Sequence, residues 1–342
     1  MKINNQFKSD FIVWAREMGL PEHKIQKLKN TLNDLFLKEL TARDDQKNIV
    51  IRHLSNSGDL NLEYENKECQ IFKISEEKLV VGVITPNWKI GWRNIDDEDI
   101  RDLIQFYLHF AEQYIARSRA LSIIGGIALT YDRACDFRFG TLNRLRLDYF
   151  KTEERKKHLP EKVKIDELSP QIEVFKKWVE KINGLDPYIH RAIFNFWKSI
   201  RLLEISLYEE STTALNSTIS VAAEYCQNRF NATSDNRFIK LEEIGLKSSY
   251  VPYLEDLEQL RNEFGAHPTD NKWWDFAEMY GDVLDHIVEI IKEILDLLCK
   301  HEATNRTINR SPENWSEWLN KNNKIVFDAV WYHKQPDLYG AY

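Results

Sequence analysis

Across residues 171–300 apolar side chains recur every three or four positions, in runs separated by short polar or glycine-containing breaks. That period belongs to helices, and it commits this part of the chain to amphipathic helices that need one another's apolar faces. Residues 172–182 form a short helix closed by Asn183-Gly184. Asp186-Pro187 then offers an N-cap and a proline at the first helical position. The helix it opens places Ile189, Ile193, Phe196, Trp197, Ile200, Leu203 and Leu207 on one face. Ser211 is placed to cap the next, whose face carries Leu215, Ile219, Ala222, Ala223 and Cys226. A short helix is expected around 238–244, and another over 253–264 with Leu254, Leu257, Leu260 and Phe264 inward. The longest is expected over about 271–300, with Leu284, Ile287, Ile291, Ile294 and Leu298 on its apolar side. Four or five antiparallel helices of this kind make a compact bundle over 171–300.

Upstream the pattern changes. Residues 8–40 hold two helical patterns divided at Gly19-Leu20-Pro21, and 48–92 are rich in β-branched residues broken by turn signals. Short strands are expected at 49–53, 60–64, 69–74 and 79–84, in a small sheet of meander type. Residues 1–95 are therefore expected to form a small α+β domain with no recognisable chemical motif. Asp96-Asp97-Glu98-Asp99 put negative charge at the start of a strong helix, where the helix dipole favours it. Gly125-Gly126 open a less regular, locally basic stretch containing Arg133, Arg138, Arg144 and Arg146, followed by a linker at about 157–170. Residues 96–170 thus read as a helical and irregular connector, and 301–342 as a tail with one helix and one strand. The expected fold class is mainly α.

Composition narrows the function classes. A net charge of −7 gives no overall basic footprint, so any nucleic-acid contact must come from a local patch such as the 133–157 segment. The four cysteines, Cys69, Cys135, Cys226 and Cys299, are scattered, which fits a reducing cytoplasm and argues against a disulfide framework or a Cys-based zinc site. The N-terminus shows no uninterrupted apolar segment of signal-peptide type, and no apolar run is long enough to span a membrane. His190, His286 and His301 have no second ligand at metal spacing. No P-loop, dinucleotide-binding glycine motif or nucleophile elbow is present, so neither metal nor cofactor is expected.

The chemistry-bearing stretch is Arg261-Asn262-Glu263-Phe264-Gly265-Ala266-His267-Pro268. Gly265 suits a left-handed helix end and Pro268 pushes His267 out of helical geometry. Arginine and histidine would then share one side of a kink, near a helix N-terminus that attracts anions. A guanidinium fork suits phosphate oxygens, and an imidazole exchanges protons near neutral pH. An arginine followed by histidine at this spacing is expected about once or twice by chance in a chain of this composition. A comparable spacing does occur from Arg16 to His23, where acidic Glu17 follows the arginine. Position separates the two, because Arg261-Asn262 lies at the break before the last helix of the bundle.

At these residues the chain resembles the HEPN domains, whose hallmark is an arginine, a polar residue and a histidine just before the final helix. The segment HRAIFNFWKSIRLLEISLYEESTTALNSTISVAAEYC also resembles the early helices of ApeA-like members. The resemblance spans about residues 185–300. It implies a cytoplasmic, metal-independent endoribonuclease working as a homodimer, of the kind used as toxins or antiviral defence effectors. Arg261 and His267 would be catalytic, with Asn262 supporting them. Glu209, Glu210 and Glu224 are candidates for an assisting acid. Arg133, Arg138, Arg144, Arg146 and Trp273 are candidates for RNA contact, Trp273 by base stacking. A triggering or inhibitory partner acting through residues 1–170 is a further expectation. The resemblance also admits a non-catalytic HEPN module that binds nucleotide, RNA or a partner protein.

Overall fold

A computed structural model describes residues 4–34, 47–54, 57, 60–66, 68–76, 78–86, 95–135, 163–182, 187–230, 232, 234–262 and 273–304. Helices α1 (Asn5–Glu17) and α2 (Glu22–Asp34) form an N-terminal hairpin. The Asn4 side chain caps α1 by accepting from the Phe7 amide. Four strands follow, β1 (Lys47–Leu54), β2 (Tyr64–Glu65), β3 (Cys69–Ser75) and β4 (Lys78–Pro86). They form an antiparallel sheet in the order β1-β4-β3-β2. The expected meander therefore holds for β2 to β4 alone. β1 pairs along its whole length with β4, Ile49 opposite Ile84 and Leu54 opposite Leu79, rather than with its sequence neighbour. The expected strand at 60–64 shrinks to the pair Tyr64–Glu65, because the Asn61 backbone exchanges hydrogen bonds with Ser169 instead of with a neighbouring strand.

A 34-residue helix, α3 (Glu98–Tyr131), comes next, its N-terminus capped by Asp97 with Glu98 and Asp99 in the first turn. Two cores meet along it. Ile100, Ile104, Tyr107, Leu108 and Ala111 of its first half pack with Phe7, Phe11, Trp14, Ile25, Leu28 and Leu32 of the hairpin. Phe7, Phe11 and Trp14 each approach the Tyr107 ring edge-on, an arrangement aromatic quadrupoles favour. Lys24 of α2 forms ion pairs with Asp97 and Asp99, fixing the hairpin to the start of α3. The second half, from Ala116 to Leu129, shares a larger core with the inner face of the sheet and with the helices that follow.

Those helices are α4 (Ile172–Ile182), α5 (Pro187–Glu204), α6 (Tyr208–Phe230), α7 (Arg237–Glu242), α8 (Val251–Leu260) and α9 (Trp273–Thr304). A single 3₁₀ turn, Ser248–Tyr250, precedes α8. The fold is mainly α with a small antiparallel sheet, as the periodicity predicted. Sheet and helices belong to one core, since Cys69, Ile71, Val81 and Val83 lie in the same cluster as Phe175, Ile193, Ile219 and Ile291. The 163–169 part of the expected linker is bonded to the sheet region, Val163 N–H donating to the Lys73 carbonyl and Ser169 N–H to that of Asn61.

Two local expectations are corrected. Gly125-Gly126 do not open an irregular stretch; they lie inside α3. A Cβ at Gly125 would meet Ile193 Cγ2 at 2.6 Å, and one at Gly126 would meet Val179 Cγ2 at 2.9 Å. The glycines let α5 and α4 approach the α3 backbone, and tertiary packing overrides their weak helix propensity. Ser211 does not cap α6. It is buried within the helix and its hydroxyl donates to the Ser199 carbonyl of α5, 3.0 Å away. Ser206, at a left-handed φ of 60°, ends α5 first and leaves Leu207 exposed.

Candidate functional site

α8 is positioned by Leu254, Leu257 and Leu260, all buried in the main core. That spacing turns Glu255, Asp256 and the helix end outward. The α-helix ends at Leu260, and Arg261 and Asn262 continue in a wider π-type turn. Such turns often mark functional positions. The Arg261 amide still donates to the Leu257 and Glu258 carbonyls, so its backbone is held. Both side chains are exposed, and Arg261 Nη1 donates to Asn262 Oδ1 over 3.2 Å. Among the described residues Arg261 has no carboxylate partner. The arginine and the polar residue are therefore brought together. His267 and Gly265 lie outside the described residues, as do Arg138, Arg144 and Arg146.

Trp273 is the first residue of α9. Arg133 is half-buried, just beyond the end of α3, where Asp132 takes a left-handed φ of 49°. That end is fixed from two sides. Lys292 of α9 pairs with Asp132 at 2.7 Å, and the Ala134 amide donates to Glu204 of α5. Glu209, Glu210 and Glu224 are exposed on α6 and none is ion-paired to Arg261.

The structure adds residues that the sequence reading missed. Arg237, the first residue of α7, places Nη1 2.8 Å from Ser220 Oγ of α6 and Nη2 3.0 Å from Glu258 Oε1 of α8. The Nη2 contact is an ion pair rather than an aligned hydrogen bond, and Nε is buried without a hydrogen-bond acceptor. Glu258 precedes Arg261 by three residues, a spacing legible in the sequence. Arg237 is distant in the chain and carried no such signal.

The other matching spacing is tied up. Arg16 grips Glu22 through two bonds, Nε to Oε2 at 2.9 Å and Nη2 to Oε1 at 2.7 Å. Two of the three histidines named from the sequence have structural contacts, His190 with the Ile182 carbonyl and His301 with that of Ile244. Among the described residues no helix is long and apolar enough to cross a membrane. Burial pushes the thiols of Cys69 and Cys226 up to about 12, which keeps both as inert neutral thiols. Comparison with protein-family models, with curated proteins and with solved structures finds no match.

Proposed function

We propose that this chain is an endoribonuclease of HEPN type that cleaves RNA as a symmetric dimer, as a toxin or defence effector. The observation that carries the reading is the exposed Arg261–Asn262 pair at the π-type turn, a guanidinium steadied by its neighbour and free of any carboxylate among the described residues. A ribose 2′-OH attacks the adjacent phosphorus as His267 of one protomer takes its proton. The bond to the 5′ oxygen breaks, and the partner's His267 returns a proton to that oxygen. The products are a 2′,3′-cyclic phosphate and a 5′-OH. Arg261 stabilises charge on the phosphoryl oxygens throughout. One imidazole serves one end of the reaction at a time, so an isologous dimer supplies the second.

The test is cleavage of single-stranded RNA by the purified protein in the presence of EDTA, compared with Arg261→Ala and His267→Ala. Cleavage that survives in both variants at the wild-type rate overturns the proposal. One observation favours the partner-protein form of the non-catalytic alternative: Glu255 and Asp256 are exposed on α8, the helix that ends at the arginine, on a chain of net charge −7, and they repel a polyanion. Binding of a partner protein with neither RNA binding nor cleavage would establish that reading instead.

A further inference from the structure

Glu258 and Arg261 stand three residues apart at the end of α8, and a glutamate N-terminal to an arginine at this spacing is placed to pair with it. The structure shows a different pairing. Glu258 Oε1 lies 3.0 Å from Arg237 Nη2, while Arg261 turns to the Asn262 amide oxygen. Arg237 is well placed to win this competition. Its Nη1 is anchored on Ser220 of α6, and its side chain is only 20 % exposed against 40 % for Glu258. A guanidinium already held by a second helix loses little freedom on taking the carboxylate. Arg261 is exposed, and it would have to order its side chain to do the same.

We propose that Arg237 is a positioning residue that keeps the Glu258 carboxylate away from Arg261, so that the Arg261 guanidinium stays open to a phosphate anion. This rests on the reading of Arg261 as a phosphate-binding residue. The same contact ties the last turn of α8 to α6 and α7, immediately before the two motif residues.

The direct readout is modification of Arg261 by phenylglyoxal in the intact protein, followed by peptide mass spectrometry. In Arg237→Gln the released carboxylate pairs with Arg261 and slows its labelling roughly twofold, the effect expected of an exposed pair at this spacing. Arg237→Gln with Glu258→Gln restores the wild-type rate, which a merely structural loss would not. Circular-dichroism melting confirms that each variant is folded. If Arg237→Gln does not fold, Arg237→Lys, whose single ammonium cannot hold Ser220 and Glu258 in the same fork, gives an intermediate slowing. Unchanged labelling in the folded single variant, or a double variant as slow as the single, overturns the inference. KM for an RNA oligonucleotide rises in Arg237→Gln and recovers in the double variant with kcat unchanged. A wild-type protein inert toward RNA but showing the labelling pattern overturns the ribonuclease reading and supports the role of Arg237.

Discussion

Gly125 of α3 lies so close to Ile193 of α5 that a Cβ built on it would meet the Ile193 Cγ2 atom at 2.6 Å. Two effects of a Gly125→Ala substitution oppose each other. Helix propensity favours alanine by about 1 kcal/mol. Overpacking against a β-branched side chain, stiff at χ1 in a helix, costs about 1–3 kcal/mol. The clash wins, and Gly125→Ala is expected to destabilise the protein by up to about 2 kcal/mol in urea unfolding. A stabilised variant would show that α3 and α5 do not approach this closely.

Glu68, the residue before β3, and Arg119 of α3 form an ion pair, Oε1 to Nη2 3.7 Å, with side chains 3 % and 7 % exposed. Burial lowers the Arg119 pKa, and the Glu68 carboxylate opposes that shift. Removing either group deprives the other, buried charge of this pairing. Arg119→Met is expected to cost about 3–5 kcal/mol, and adding Glu68→Gln to recover a large part of it. Equal stability of the single and double variants in denaturant titrations would contradict this.

Asp296 of α9 lies between Lys181 of α4 and Lys300. Burial raises its pKa, but the two ammonium groups outweigh this, so the folded value falls below the usual carboxylate range. A depressed folded pKa contributes stability above the unfolded value near 4 and loses it as pH falls through the folded one. Asp296→Asn is expected to cost about 0.5–1 kcal/mol at pH 7. The difference from wild type should close as the pH is lowered below about 4. A gap that widens on acidification would refute the assignment.

For the proposed site, Arg261→Lys separates geometry from charge. Lysine keeps the positive charge but loses the planar fork that meets two phosphoryl oxygens and the Asn262 amide oxygen. RNA cleavage is expected to fall by about 10²-fold or more, with melting temperature unchanged because the side chain is exposed. Retained activity would show that a point charge suffices.

Much of the helical fold was legible because it is local. The faces of α6 and α9 named from periodicity, among them Leu215, Ile219, Ile287, Ile291 and Ile294, are buried as expected. The acidic start of α3 was legible for the same reason, being written within four consecutive residues, whereas the structure adds that Asp97 is its cap. The expectations that failed depend on distant partners. Strand patterning cannot say that β1 joins β4, since either edge of the hairpin satisfies the same alternation. Gly125-Gly126 read as a break until α4 and α5 are seen against them.

The same division runs through the site. Arg261, Asn262 and Glu258 are neighbours along a helix, so the sequence alone determined that they share one end of α8, and its period determined which leucines bury the opposite face. Only the tertiary structure decided which guanidinium Glu258 takes. Three helices converge there, and an arginine anchored on Ser220 takes the carboxylate in place of the exposed Arg261, which is bonded to Asn262. Pairings of that kind turn on the entropy of side chains held by distant parts of the chain, which residue spacing does not encode.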